Sequence, residues 1–295
     1  MPTLSRQYCK LCDRRDFDDP AVRDMLRDIS RPGLSDDEQL HRKQWEYGML
    51  GLYLQEVGAL TPEASALAVA AGHEEPLFWL SNRVGRVLAT DIYGEGGFAV
   101  DGREADASML TDPGHWAPYE YRADHLEVQH MNAMDLTLPD ASFDIVFSLS
   151  SIEHFGPWEN LHKASAEMAR VVKPGGHLII VTEALTAKHV LDSAKLQLAI
   201  KYLTGGRRCP RADGKRRIID AMTPAELQEH IIAPTGLPLV QPLDTTVSPE
   251  SFENLQLWDG DNVGATSTGN PFPHIMLKAQ GSPWTSVFLA FQKPA

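Results

Sequence analysis

The sequence is poor in cysteine, in positive charge and in long apolar runs. Three cysteines in 295 residues cannot build a paired disulfide framework, which points to a reduced, cytoplasmic setting. Lys and Arg number 27 against 40 Asp and Glu, a formal charge of −13. That deficit makes general nucleic-acid binding a poor fit, because phosphates need an excess of cations opposite them. No run reaches the roughly 18 apolar residues of a membrane span, so no membrane role is expected. The opening MPTLSRQYCKLCDRRDFDD has no apolar stretch for a secretory signal. Cys9 and Cys12 are spaced like half a zinc site, but structural zinc normally takes four ligands. Cys209 is the remaining thiol and His41 the nearest histidine, so no metal is expected.

Residues 1–34 are polar and charged, and Arg31-Pro32-Gly33 breaks any helix there. Ser35-Asp36-Asp37-Glu38 reads as a capping box. It predicts a helix over 36–57 carrying Leu40, Trp45, Met49, Leu52, Tyr53 and Val57, ended by Gly58. From residue 65 short apolar runs alternate with amphipathic stretches. The runs are Ala66–Ala70, Val87–Asp91, Leu126–Met131, Phe143–Ser148, His177–Thr182 and Ser286–Gln292. Helices are predicted after Glu75, over 159–172 and from Thr223-Pro224-Ala225-Glu226. This alternation indicates an α/β fold, with a parallel sheet covered on both faces. Residues 1–60 read as an N-terminal helical cap and 61–295 as the main domain. Connections 92–125 and 243–285 exceed what a minimal fold needs; they are binding loops or passive insertions.

Ligands of an open parallel sheet bind beyond the carboxyl ends of the strands. After the first run come Ala70-Ala71-Gly72-His73-Glu74-Glu75, small enough at Ala70 and Gly72 for close backbone approach. Asp91 ends the second run, 19 residues after Gly72. A carboxylate there can accept hydrogen bonds from both ribose hydroxyls, or it can cap the next turn.

In this order the motifs resemble a class I S-adenosylmethionine-dependent methyltransferase, of the broad group containing the quinone-biosynthesis enzymes. The resemblance covers about 65–185. It implies a Rossmann-like, seven-stranded, mostly parallel sheet with helices on both faces. It also implies S-adenosylmethionine as cofactor and S-adenosylhomocysteine as product. Leu67–Glu74 matches the first loop, Asp91 the ribose acid, and Asn132-Ala133-Met134 the adenine turn. Phe143–Ser148 matches the fourth strand, and Arg170–Gly176 the approach to the fifth. The resemblance puts Ala70, Gly72, Glu74, Asp91, Asn132, Ala133, Met134 and Ser148 at the cofactor.

The departures are specific. Ala70 and Glu74 stand where the family has glycines, Ala68 replaces an acid, and Asn132 replaces a frequent Asp. Asn still offers a carbonyl acceptor. Glu74 could take the cofactor's ammonium, or Glu75 could open the next helix. A nicotinamide or flavin fold would want G-x-G-x-x-G for pyrophosphate; here carboxylates would face the phosphates. A nicotinamide-dependent oxidoreductase is therefore the alternative enzyme, and a non-catalytic cofactor-binding subunit the alternative without chemistry. Ser150-Ser151-Ile152-Glu153-His154 follows the fourth strand. His154 is the candidate general base or an ordering residue, with Glu153 orienting it or starting a helix. Six of the 27 cations lie within 207–217. Arg216 and Arg217 there could recognise an anionic acceptor or form a solvated loop. Residues 204–217 read as a third insertion. Tyr47 could line the acceptor pocket or belong to the core. The expected acceptor is a hydroxyl of a small molecule or glycan.

Overall fold

Each apolar run becomes a strand of one sheet. A computed structural model describes residues 4–96, 98–99, 104–186, 221–258, 263–279 and 282–295. The N-terminal part supplies β1 (Lys10–Leu11), α1 (Pro20–Ile29), α2 (Asp36–Gln39) and α3 (Arg42–Glu56). The alternating part supplies β2 (Ser65–Val69), α4 (Glu75–Ser81), β3 (Arg86–Asp91), β4 (Leu126–His130), β5 (Phe143–Leu149), α5 (Trp158–Val171) and β6 (Val172–Leu185). After it come α6 (Pro224–Leu227), β7 (Gln256–Trp258), β8 (Val263–Thr266), β9 (Leu277–Ala279) and β10 (Ser282–Gln292).

The strand order is β4-β3-β2-β5-β6-β10-β9-β7-β8, with β1 also on β10. The first five strands of this order run parallel, and β10 lies antiparallel to β6. The chain builds outward from β2 through β3 to β4, then returns to build β5 and β6 on the other side. The switch point thus falls between β2 and β5, and ligands of such sheets bind beyond that crevice. One apolar layer packs beneath α1, α3 and α4 and the other beneath α5 and α6. Both faces of the sheet are covered, as the continuous apolar strands demand.

The fold differs from the sequence reading in three places. Residues 1–34 contain α1, set by Asp19, whose carboxylate accepts from the Ala21 amide at 2.8 Å, and by Pro20 in the first turn. Val22, Met25, Leu26 and Ile29 form its buried stripe. Gly48 and Gly51 of α3 let it approach; a Cβ on Gly51 would stand 2.5 Å from Met25 Sδ. The helix expected over 36–57 is two. Ser35 and Glu38 form the predicted capping box of α2, but His41 is extended and caps α3, its Nδ1 accepting from the Lys43 amide. The His274 carbonyl accepts from the Arg42 amide and the His274 amide donates to the Leu40 carbonyl. This strand-like bridge is a tertiary contact and breaks the helix. Third, the sheet has ten strands among the described residues instead of seven. Connection 243–285 is partly sheet: β7, β8 and β9 extend the edge beyond β10.

Candidate functional site

The loops after β2 and β5 meet at the switch point. Ala70 and Gly72 both take left-handed backbone angles, φ 51° each, and Ser150 does so after β5 at 52°. Left-handed alanine and serine cost free energy and persist only where their surroundings fix them. Here they do: Ser151 Oγ donates to the Ala70 carbonyl at 3.0 Å, and the Ser150 amide donates to the Val181 carbonyl at 2.8 Å. Gly72 is required by space, since a Cβ would lie 2.8 Å from the Glu104 carbonyl oxygen.

Asp91 ends β3 beside this loop. Its carboxylate accepts from the Gly72 amide at 2.9 Å and the Ile92 amide at 2.7 Å. Burial raises its pKa against these amides, which lower it. The carboxylate therefore braces the glycine loop while keeping lone-pair capacity, having about four acceptor sites in all. The turn after β4 is tied to the same point, the Met131 amide donating to the Asp91 carbonyl at 2.9 Å. Asn132 Oδ1 accepts from the Met134 amide at 2.9 Å, and Ala133 is buried within the turn. Ser148 is buried in β5, and its hydroxyl has no hydrogen-bond partner among the described residues.

Connection 92–125 folds back over the glycine loop. Tyr93 Oη donates to the Gly72 carbonyl at 2.6 Å. The Trp116 ring stacks on His73 at 3.9 Å, and Tyr119 Oη donates to the Ile29 carbonyl at the end of α1.

The first turn of α3 crosses the strand ends with charges that the sequence reading passed over. Lys43 pairs with Glu74 of the glycine loop and with Glu46 at 3.1 Å, and donates to the Leu149 carbonyl at 2.9 Å. Glu46 is fully buried and accepts from Ser150 Oγ at 2.7 Å and Ser286 Oγ at 2.6 Å. Arg42 pairs with Glu183 on β6 at 2.9 Å. Burial pushes Glu74 and Glu183 each up to about 7, with Lys43 and Arg42 respectively pulling the other way. Desolvation outweighs pairing at both carboxyls, and neighbouring Glu46 adds repulsion at each, with Glu153 adding to it at Glu183. No local signal marks this cluster: Arg42, Lys43 and Glu46 open α3 as charged residues of a helix start commonly do, and only the fold shows the helix buried through Leu54.

Among the remaining expected residues, Tyr47 is buried in the core, with Lys43 Nζ 5.6 Å from its ring centre. Glu153 is buried and accepts from Thr182 Oγ1 at 2.8 Å. His154 is exposed on the turn after β5, its ring 5.1 Å from that of Phe98. Arg216, Arg217 and Cys209 lie outside the described residues. Cys9 and Cys12 are buried free thiols, and the described residues contain no group of three or more metal-ligating side chains. No helix among them is long and apolar enough to cross a membrane.

Residues 67–180 match the family described as a methyltransferase domain. That match runs from β2 into β6 and takes in the switch-point loops, a Rossmann-like arrangement. The chain is 40% identical over 58 residues to 27-O-demethylrifamycin SV methyltransferase of Amycolatopsis mediterranei (strain S699), covering 19% of this chain and 20% of that protein. It is 38% identical over 63 residues to "Probable tRNA methyltransferase 9B" of Mus musculus, covering 21% of this chain and 14% of that one. The chain thus spans a fifth or less of these curated relatives. A solved geranyl diphosphate C-methyltransferase from Streptomyces coelicolor A3(2) aligns over 98% of this chain and 88% of its own, at 13% identity and a TM-score of 0.48.

Proposed function

We propose that the chain is an S-adenosylmethionine-dependent methyltransferase acting on a hydroxyl of a small molecule or glycan. The observation that carries the reading is the pairing of Asp91 with the Gly72 loop at the switch point. Around that loop stand carboxylates, Glu74 and Asp91, where a dinucleotide's phosphates would be repelled. A cofactor without phosphates and with a net positive charge fits this donor set. The left-handed Ala70 and Gly72 supply the open backbone that such a cofactor approaches.

Asp91 would hold the ribose hydroxyls, with the Asn132–Met134 turn at the adenine and the Ala70–Glu74 loop at the amino-acid end. When bound, S-adenosylmethionine supplies an electrophilic methyl on a sulfonium. The chain's part is to hold the acceptor in line, where positioning supplies much of the rate. His154 would take the hydroxyl proton at an imidazole nitrogen, with buried Glu153 behind it. Its exposed place after β5 leaves it reachable by an acceptor. Arg216 and Arg217 would hold an anionic group of the acceptor.

Calorimetry with S-adenosylhomocysteine and with NADH tests the cofactor. Binding of the first alone supports the reading, and binding of NADH alone overturns it. Transfer of a radiolabelled methyl group to an alkali-stable ether, in a screen of hydroxylated acceptors, tests the reaction. Label recovered only on carbon or nitrogen would overturn O-methylation.

A further inference from the structure

Arg42, at the start of α3, lies across β6 and β10 with part of its bonding capacity unused. Its Nη2 pairs with Glu183 on β6 at 2.9 Å, and its Nη1 donates to Ser286 Oγ on β10 at 3.2 Å. The Nε–H is buried and has no acceptor among the described residues. The guanidinium sits over Trp284 of β10, its Cζ 5.1 Å from the ring centre. Trp284 is 2% exposed, and its Nε1–H also lacks an acceptor there. His274, whose carbonyl accepts from the Arg42 amide, carries a third such buried nitrogen, Nδ1. Buried polar atoms are almost always hydrogen-bonded, and one left unmade costs its full desolvation. Three of them, on Arg42 and on two residues against it, mark a place for a partner that the described residues do not supply. The place is reachable, with 17% of the Arg42 side chain and 10% of that of Glu183 exposed. The charges of Glu153 and His154 both bear on Glu183, so it adjoins the turn after β5 that carries the proposed base.

We propose that Arg42, Glu183 and Trp284 form a seat for a hydroxyl of the acceptor other than the one that is methylated. The Arg42 Nε–H donates to its oxygen, Trp284 Nε1–H supplies a second donor on the same wall, and Glu183 accepts the hydroxyl's hydrogen bond. A hydroxyl can play both parts. A carbonyl or ether oxygen gives Glu183 no donor. A carboxylate is repelled by Glu183 and by Glu46, which lies 3.6 Å from the same guanidinium. The acceptor class is therefore one with at least two hydroxyls. This rests on the acceptor reading above, in which His154 serves the reacting hydroxyl; the seat fixes a second point of the same molecule and so its orientation. A deoxy analogue would leave the seat's buried groups unpaired, which makes the seat selective.

The first test needs no reaction. Crystals of the full chain are soaked in ethylene glycol and, in parallel, in acetonitrile, which accepts a hydrogen bond but donates none. A glycol oxygen is expected within about 3.2 Å of Arg42 Nε and of the Glu183 carboxylate, with no acetonitrile at that point. A water that glycol does not displace, a second Glu183 oxygen on Nε, acetonitrile in the seat, or glycol elsewhere as an adventitious additive only, overturns the proposal. The second test compares dihydroxylated acceptors from the methylation screen with partners lacking the hydroxyl that is not methylated. For the deoxy partner kcat/KM should fall about tenfold or more, the worth of one charge-assisted hydrogen bond. Trp284→Phe, which keeps a ring and removes the donor, should narrow that gap. Equal kcat/KM for both partners, or an unchanged gap in folded Trp284→Phe, also overturns the seat. A screen in which no acceptor is methylated overturns the acceptor reading instead, and the glycol soak then decides the seat alone.

Discussion

Replacing Glu74 by Gln isolates one buried charge whose cost follows from the structure. The Glu74 carboxyl is held up to about 7, chiefly by burial, with Lys43 opposing. In the unfolded chain the group titrates near 4.5, its ordinary value. Below pH 4.5 both states hold the proton. As pH rises from there to about 7, the unfolded state gives it up and the folded state keeps it. The folded state then binds more protons, so this group's contribution to stability falls through that window. At about 1.4 kcal/mol per pH unit, the loss across it is about 3 kcal/mol. The substituted amide cannot ionise and fills the same space, while Lys43 retains Glu46 and the Leu149 carbonyl. Urea unfolding of both proteins at several pH values from about 4.5 to 8 should show a flatter profile for Glu74→Gln. The two profiles should part by about 3 kcal/mol over the range. Parallel profiles would mean that Glu74 is ionised in the fold across the window, and the argument from desolvation would fail.

Four further outcomes follow from other contacts. Asp91→Ala in a folded protein should weaken S-adenosylhomocysteine binding about tenfold or more, through loss of charge-assisted hydrogen bonds of about 1.5–3 kcal/mol; unchanged calorimetric affinity would remove Asp91 from the ribose. His154→Ala should lower turnover by about 10²–10⁴-fold without loss of cofactor affinity, and a fully active variant would leave proximity to account for the rate. Gly72→Ala should destabilise the glycine loop by about 1–3 kcal/mol, since its Cβ would stand 2.8 Å from the Glu104 oxygen; an unchanged unfolding midpoint would count against that crowding. His41, whose pKa burial drives down to about 2, stays neutral while the unfolded imidazole protonates below about 6.5. Stability should therefore fall as pH drops below that value, and His41→Asn, which keeps a cap, should lessen the fall in acid urea titrations.

What the sequence made legible was local and periodic. The runs at Ser65–Val69, Arg86–Asp91 and Phe143–Leu149 are strands because they are largely apolar on both faces, and Leu126–His130, at the edge of the sheet, alternates apolar with polar; each segment carries its pattern alone. The capping boxes at Ser35 and Thr223 are likewise local, and both form. The order of motifs was enough to identify the domain over 67–180. Helix α1 also carried a local signal, Asp19-Pro20 followed by apolar residues at 22, 25, 26 and 29. Its charged surface hid that spacing. The break at His41 had no such signal, because its cause is a backbone bridge to His274, more than 200 residues away. Strands β7 and β9 escaped for a different reason: each is three residues long and pairs with near neighbours, β7 with β8 and β9 and β9 with β10, so neither carries a run long enough to show a period.

The charged turn of α3 was illegible for a different reason. Arg42, Lys43 and Glu46 look like an ordinary solvated helix start, and the i,i+3 and i,i+4 pairs among them would be worth little on a surface. Their meaning depends on the sheet beneath. Once α3 lies across the strand ends, each must find a partner there, and the partners available are Glu74, Ser150, Glu183 and Ser286. All four sit at or beside strand ends that flank the switch point or continue the sheet next to it. The cost of burying three carboxyls against two cations therefore falls where ligands of this fold bind. A cluster placed for stability alone would be better replaced by apolar side chains, since the attraction in a buried ion pair is often smaller than its desolvation. Retaining Glu74 and Lys43 at the mouth of the glycine loop makes physical sense if a charged ligand offsets that desolvation on binding.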